Sequence, residues 1–305
     1  MRVFVTGGSG MVGRSVVEQL VQARHQVVAL TRNADGEAVL RARGAEPLKG
    51  DVSVPDTWRA AATAADALVH IAQEAPSGRI GKGAVERTGA VDAIARRALI
   101  DIATAGQKTL VYTSGVFVYG GGDNAHVEAD VPSPFPLVAY KAQGEQEVLA
   151  SMGAGARPVV LRLGAVYAPW GNTEAFYLKA MKKRKSAGFP GDGSNRFSNV
   201  HHVDCARAYV AVVEDPSPGE VFNVCDDRPI EVRDFCGQLA TAMSAPKPKG
   251  APAFIIKLAT GFLAAPLLAN NMMSNQKFTQ RYKFKLQHPT VETGVVDVAN
   301  AYLKT

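Results

Sequence analysis

Short, nearly continuous apolar runs alternate with stretches of helical periodicity through the first half of the chain. "RVFVT" (2–6) is followed by a helical pattern through "GMVGRSVVEQLVQA", and "QVVALTR" (26–32) by one near 36–43. "AEPLKGD" (45–51) is a third run. "VPDTWRAAATA" then places Pro55 near a helix start, where its missing N–H costs nothing. "DALVHIA" (66–72), a long helix through roughly 84–105, "TLVYTSG" (109–115), a helix opened by Tyr140, and "RPVVLRLGAVYA" (157–168) as a sixth strand continue the rhythm. Unbroken apolar runs are the mark of strands buried on both faces. Strands that alternate with helices predict βαβ units and a parallel, doubly wound α/β sheet.

After about residue 170 the rhythm breaks. A basic helix end, "LKAMKKRKSAG", leads into the turn-rich "FPGDGSN". A short strand at "FSNVHHV", a helix through "DCARAYVAVVE", the strand "EVFNVCD" and further helices follow. The expected organisation is a dinucleotide-binding Rossmann domain over 1–170 and a smaller mixed α/β substrate lobe over 171–305, from which the core may borrow strands. Ligands of open α/β sheets bind at the carboxyl ends of the strands, so a lobe packed there would select the substrate.

Composition narrows the class. The 305 residues are 47% hydrophobic and 20% charged, as in globular proteins, and the net charge of +6 permits anionic ligands without demanding nucleic acid. The run "KKRK" (182–185) is expected to be a solvated helix end. Cys205, Cys225 and Cys236 show no CxxC spacing and are expected as reduced thiols. The N-terminus enters a strand directly, with no signal-peptide pattern, and a cytoplasmic location is expected. Lys257 and Pro266 interrupt the longest apolar stretch, "APAFIIKLATGFLAAPLLAN", which is therefore expected to form a core-facing or lid helix and not a membrane span. No metal-ligand spacing is visible. The expected partner is a small-molecule substrate, with no nucleic acid and no membrane, and a homodimer is compatible with the chain.

The first strand–helix turn reads "TGGSGMVG" (6–13). Gly8, Gly10 and Gly13 satisfy GxGxxG, and Gly7, Gly10 and Gly13 satisfy GxxGxxG, with Ser9, Met11 and Val12 completing the loop. Such a turn lets a pyrophosphate approach a helix N-terminus, where free N–H groups and the dipole favour anions. At the end of the second strand an acidic residue would bind a ribose hydroxyl, and an arginine a 2′-phosphate. The residues here are Thr31, Arg32 and Asn33, with no carboxylate before Asp35, so NADP is expected over NAD. Arg14 is a second candidate phosphate ligand.

The ordered set "TGGSGMVG", "KGDVSVPDTWRAA", "DALVHIA", "LVYTSGVFVYG", "VVLRLGAVY", "NVHHVDCARAYV" and "GEVFNVCDD" resembles the extended short-chain dehydrogenases/reductases, the NAD-dependent epimerase/dehydratase superfamily, over nearly the whole chain. The resemblance implies that Asp51 and Val52 lie against the adenine and that Ile71 and Ala72 line the cofactor. It implies that Thr113 and Ser114 stand beside the nicotinamide, and that Leu163 to Val166 pack on its other side. "HHVD" resembles the family's late strand-to-helix motif near the substrate. There are departures. The family's catalytic serine or threonine position is Gly115, and Ser114 comes one residue early. The family's lysine, four residues after the tyrosine, is Gly144, and "RPGxVYG" has become "RLGAVYA".

Tyrosine has a pKa of about 10, and a cation one helical turn on is what brings it toward neutral pH. Lys141 follows Tyr140 at about 100° around a helix, so it is expected to be a solvated surface lysine and a poor substitute. A glycine inside a helix suggests that another group, or the cofactor, approaches the backbone at 144. His201 and His202 are candidates for acid–base work, with a structural hydrogen bond as the plainer reading. The leading expectation is an NADP-dependent oxidoreductase or epimerase-like enzyme acting by hydride transfer. Tyr140 would be the proton donor, aided by Thr113 or Ser114. Two alternatives stay open: a dinucleotide-binding protein without redox chemistry, and an enzyme using the same pocket for isomerisation or cyclisation.

Overall fold

The computed structural model describes residues 1–73 and 79–304. Its centre is a seven-stranded parallel sheet. β1 (Arg2–Thr6), β2 (Gln26–Thr31), β3 (Glu46–Lys49), β4 (Ala67–His70), β5 (Thr109–Gly115) and β6 (Arg157–Leu163) lie in the order β6-β5-β4-β1-β2-β3, and Glu220–Val224 adds a seventh strand beside β6. The strand order reverses between β1 and β4, which opens a crevice at the carboxyl edge.

Alternate strand residues face opposite ways, and each face has its own core. Val3, Val5, Val69, Val111 and Leu161 pack with Val16, Val17 and Leu20 of α1 (Gly13–Gln22), Leu40 of α2 (Ala34–Arg41) and Tyr209 of helix His202–Glu214. Phe4, Leu68, Leu110, Tyr112 and Val160 pack with Ala62 of α3 (Arg59–Thr63), Ala95 and Leu99 of α4 (Lys82–Gly106) and Val148 of α5 (Ala139–Ala150). Full burial of each large aliphatic side chain contributes about 1.5–3 kcal/mol, so the two apolar faces hold the helices in register on the sheet.

The run 157–168, expected as one strand, is two. At Gly164 the backbone N–H donates to the Val224 carbonyl (3.0 Å), and Ala165 N–H then donates to Ser198 O (2.9 Å). Ala165–Tyr167 thus leaves the main sheet and pairs with Asn199–His201. A Cβ at 164 would lie 2.6 Å from the Ser198 oxygen, so the close approach that redirects the chain requires glycine.

Beyond residue 170 a separate core joins Leu178 and Met181 to helices Val232–Ala242 and Val291–Leu303. Where one short strand was expected at "FSNVHHV" there are two, Arg196–Phe197 and Asn199–His201. Residues 182–185 are exposed, and the three cysteines are buried and unpaired. The apolar stretch near the C-terminus forms two short helices, Ala253–Thr260 and Ala264–Leu268, broken at Gly261. No residue of Ala253–Thr260 is buried, so this helix does not face the core. Phe254 and Leu258 are 71% and 72% exposed. Among the described residues no helix is long and apolar enough to cross a membrane.

Candidate functional site

The glycine turn joins β1 to α1 at the crevice. Gly7 has φ +75°, and a Cβ on it would lie 2.6 Å from the Ala72 nitrogen. A Cβ on Gly13 would collide with the Gly7 carbonyl oxygen. Both glycines are needed for the chain to fold this tightly. Gly10 N–H closes the turn on Gly7 O (3.0 Å). No side chain caps α1, and its first turn has no acidic residue, so the positive end of its dipole is open to an anion, although Arg14 N–H is already bonded to Gly10 O (3.2 Å). Ile71 and Ala72 run beside the loop, with their N–H groups bonded to Thr6 O (3.2 Å) and Thr6 Oγ1 (3.3 Å). The loop is braced from outside by Trp170 Nε1–H on Met11 O (2.9 Å) and Arg14 Nε–H on Ser9 O (2.9 Å). Arg14 is thereby turned toward the Trp170 ring. These residues fit a dinucleotide pyrophosphate. Trp170 carries no local sequence signal, because its partner Met11 lies 159 residues earlier in the chain.

At the end of β2, Arg32 is exposed, while Asn33 caps α2 by accepting Gly36 N–H on Oδ1 (2.9 Å). Asp51 accepts Ser53 N–H (2.8 Å) and Ser53 Oγ–H (2.6 Å). These bonds, with the nearby Arg32 charge, hold its carboxyl below the usual range. Val52 is half-buried against the core.

Tyr140 and Ser114 lie on the α4–α5 side of the sheet. Ser114 shares a face with Tyr112, two residues earlier on β5. Thr113 faces the other way, and its hydroxyl is engaged with Tyr209 Oη (2.6 Å). Tyr140 Oη and Ser114 Oγ are both buried and without a hydrogen-bond partner among the described residues. Burial, and then the Asp92 charge, push the Tyr140 phenol above its ordinary pKa.

Beside Tyr140 lies a buried charge cluster that sequence reading missed. Asp92 of α4 accepts from Lys141 Nζ (2.8 Å), from Tyr112 Oη (3.0 Å) and from Arg96 Nη1. His70 Nε2 lies 3.6 Å from Asp92, and His70 Nδ1 meets Thr6 Oγ1 (2.7 Å). Thr6 Oγ1 also accepts Ala72 N–H (3.3 Å), so this hydroxyl joins His70 to the backbone beside the glycine turn. Burial lowers the His70 pKa and keeps it neutral. Burial alone would raise Asp92, but Lys141 and the hydrogen bonds overcome this and hold its carboxyl well below the usual range. One expectation is corrected here, and another is narrowed to one of its alternatives. Lys141 is 4% exposed and ion-paired, because α4 presents Asp92 to it, so it is not a solvated lysine. The group filling the space over Gly144 is a pair of protein side chains: a Cβ there would collide with the Tyr112 hydroxyl and lie 3.0 Å from Arg96 Nη1.

Leu163 lies in the core and Val166 is half-buried against it, on the face opposite Ser114. A second buried pair, Glu145 and Arg162 (3.1 Å), ties α5 to β6, and Arg162 continues to Tyr119 Oη (2.8 Å). The histidines have structural partners. His201 Nδ1 accepts Val203 N–H (3.4 Å), which places its proton on Nε2, 3.2 Å from Asp297, and His202 Nδ1 meets Ser15 Oγ (2.9 Å). Burial, followed by neighbouring charge, pushes them down to about 2 and about 4, so both are neutral at pH 7. With Asp297 they bring three potential metal donors within 4.8 Å of one another, a grouping invisible in the sequence.

A family model described as NAD dependent epimerase/dehydratase family matches residues 3–225. The chain is 29% identical over 247 residues to 4-hydroxy-2-methyl-3-oxo-4-farnesyl-3,4-dihydroquinoline-1-oxide ketoreductase of Stigmatella aurantiaca, covering 77% of this chain and 71% of that protein. It is 27% identical over 262 residues to 2-alkyl-3-oxoalkanoate reductase of Stenotrophomonas maltophilia, covering 81% and 77%. Among solved structures, UDP-glucuronic acid 4-epimerase from Bacillus cereus shares the fold with a TM-score of 0.84 at 18% identity, covering 100% of this chain and 99% of that one.

Proposed function

We propose that this chain, which belongs to the NAD dependent epimerase/dehydratase family, is an NADP-dependent reductase of a ketone carried on a largely apolar small molecule. The family and the two reductase relatives make it an enzyme of NAD(P)-dependent oxidoreductase or epimerase type. The observation that carries the finer reading is that two hydroxyls on the α4–α5 side of the sheet, Tyr140 Oη and Ser114 Oγ, are each buried and without a partner among the described residues. Buried polar groups nearly always have partners, and a substrate oxygen would complete both.

The loop from Gly7 to Gly13 would hold the pyrophosphate at the N-terminus of α1, with Ile71 and Ala72 alongside. Asp51 and Val52 would lie against the adenine, and Leu163 and Val166 at the nicotinamide end. The cofactor, when bound, supplies the hydride. Tyr140 passes its phenolic proton to the carbonyl oxygen as negative charge develops there, and Ser114 donates a second hydrogen bond. In a buried site these donors act without competition from water. Thr113 supports Ser114 through the strand, its own hydroxyl being held by Tyr209.

Two observations support an apolar substrate. Both relatives are named for ketones on alkyl or farnesyl-bearing molecules. The exposed apolar helix Ala253–Thr260 is also pinned at the carboxyl edge. Gly261 bridges Ile80, beyond β4, and a Cβ on Gly121, beyond β5, would lie 3.1 Å from Asn270 O. The test is NADPH oxidation with a panel of 3-oxoacyl and cyclic ketones of increasing chain length. Turnover should rise with chain length, and Tyr140→Phe should lower kcat about 100-fold or more. An unaffected Tyr140→Phe would remove the chemistry from this residue. Cofactor binding without turnover of any ketone would favour a dinucleotide-binding protein, a reading that the raised Tyr140 pKa also suits.

The cofactor preference rests on Arg32, exposed at the end of β2 with no carboxylate on its own loop before Asp35. Arg32→Ala should weaken NADPH binding about tenfold, the worth of one charge-assisted phosphate contact, and leave NADH binding nearly unchanged. Fluorescence titration of both cofactors checks this. Tighter binding of NADH by the wild type, or an undiminished NADPH preference in the variant, would sink the assignment.

A further inference from the structure

We propose that the helix Ala253–Thr260 and the basic surface beside it dock this protein on an anionic lipid membrane, as a peripheral contact that inserts side chains without crossing the bilayer. The apolar part is concentrated. Phe254, Ile255, Leu258 and Phe262 are all exposed within nine residues, and two of the three exposed phenylalanines among the described residues, Phe254 and Phe262, stand here. Phe254 and Leu258, four apart, share one side of the helix. Ile256 and Thr260, also four apart, form its half-buried side. The helix is not a loose end. Before it, Lys249–Ala251 pairs with Gly188–Pro190, and after it Ile80 N–H donates to Thr260 O (3.1 Å) and Phe262 N–H to Ile80 O (2.9 Å). A helix fixed at both ends thus carries its largest apolar side chains outward, and exposed apolar clusters of this kind mark contact surfaces.

The charge beside the helix points to the partner. Residues 175–191 and 235–275 contain no aspartate or glutamate, yet carry the run 182–185 together with Lys247, Lys249 and Lys257. The fold joins these two stretches. Arg184 Nη1–H donates to Ser244 O, Ser186 Oγ–H to Lys247 O (2.9 Å) and Lys249 N–H to Ala187 O (3.1 Å). The basic run, Lys247 and Lys249 therefore form one surface that leads through Pro252 into the apolar helix. All seven basic residues are exposed. The carboxylates that flank these stretches are engaged elsewhere: Glu174 with Lys179 (3.7 Å), Glu231 with Arg233 (2.5 Å) and Asp192 with Ser194 N–H (3.0 Å). Each lysine near an anionic bilayer strengthens binding about fivefold. Positive charge alone would suit a nucleic acid equally, but a duplex has no apolar layer to receive Phe254 and Leu258, and a membrane interface has both layers. Lys257 can lay its methylenes along the acyl boundary and keep its ammonium among the headgroups. No helix among the described residues is long and apolar enough to span a membrane, so the contact is peripheral. The docking does not depend on the reductase reading, although an apolar ketone dissolved in the bilayer would meet the crevice rim there.

The experiment floats the full chain with vesicles of phosphatidylcholine alone, or with about one-third phosphatidylglycerol added. Binding to the anionic vesicles should be at least about tenfold stronger, and most of it should be lost when ionic strength rises from about 0.1 M to about 0.5 M. Phe254→Ser combined with Leu258→Ser should weaken it at least about tenfold, and Lys247→Gln combined with Lys249→Gln about 25-fold. All four positions are exposed, so both variants should melt at the wild-type temperature. In Phe254→Trp, the added indole emission should be quenched by brominated lipid in anionic vesicles. No flotation with anionic vesicles, flotation indifferent to the two apolar substitutions, or an unquenched indole overturns the proposal. Two further outcomes overturn it by revealing another occupant. Duplex DNA that binds as tightly as anionic vesicles at equal phosphate makes the basic run a nucleic-acid contact. A dimer that light scattering shows to be broken by the apolar substitutions makes the helix an interface between two copies. None of these measurements needs NADPH or a ketone, so failure of every ketone defeats the reductase reading alone.

Discussion

Gly144→Lys yields a protein that is strongly destabilised and no more active. A Cβ at 144 would collide with the Tyr112 hydroxyl and lie 2.9 Å from Tyr112 Cζ and 3.0 Å from Arg96 Nη1. Neither neighbour can move cheaply. Tyr112 is fully buried and bonded to Asp92, and Arg96 is 2% exposed and paired with Asp92 and Glu147. A lysine there adds overpacking and a third cation to a buried cluster that has one buried carboxylate, at a combined cost of about 3–5 kcal/mol. Gly144→Ala should itself cost about 1–2 kcal/mol, since its Cβ meets the same atoms and the gain in helix propensity offsets only part of that. Denaturant melts of the three proteins check the order wild type, alanine, lysine. A lysine variant as stable as the wild type and faster in turnover would show that position 144 is merely a lost catalytic part.

Asp226→Asn stabilises the protein at alkaline pH and has little effect at pH 4. Asp226 follows the strand Glu220–Val224 and is 3% exposed. Burial, with Asp227 and Glu292 adding like charge, raises its pKa to about 8, and neither carboxylate oxygen has a hydrogen-bond partner among the described residues. Below about pH 4 the carboxyl is protonated in both folded and unfolded chains and has no effect on the balance. From there to pH 8 the unfolded chain releases a proton that the folded chain retains, so stability falls steadily. Above the folded pKa both forms are ionised and the loss levels off. The full swing is on the order of 5 kcal/mol. Asparagine cannot ionise, so the variant should lose this slope. Urea melts between pH 4 and 9 decide it, and parallel curves for the two proteins would mean that Asp226 is ionised in the native state.

Much of the architecture was legible in short stretches. "RVFVT", "QVVALTR" and "TLVYTSG" appear as β1, β2 and β5 almost residue for residue, because a strand buried on both faces writes itself as an unbroken apolar run. The glycine turn was legible for a similar reason: the positive φ of Gly7 and the contact of Gly13 with the Gly7 carbonyl are demands made within a single loop. Tyr140 at the start of a helix, and the missing lysine at 144, could likewise be read by counting.

Other features waited on partners distant in the chain. The run 157–168 reads as one strand, and it breaks at Gly164 because Ser198 offers its carbonyl there. Lys141 reads as a surface lysine, since helical periodicity gives only its angle around α5, and the residue that buries it, Asp92, belongs to another helix. His70, Arg96 and Trp170 have no local pattern at all. Hydrophobic periodicity and glycine sterics act over a few residues and were determined by the sequence itself. The pairing of buried charges and hydroxyls depends on which helix faces meet across the sheet, because a polar group leaves water only where packing supplies its partner, and that was decided by the tertiary structure alone.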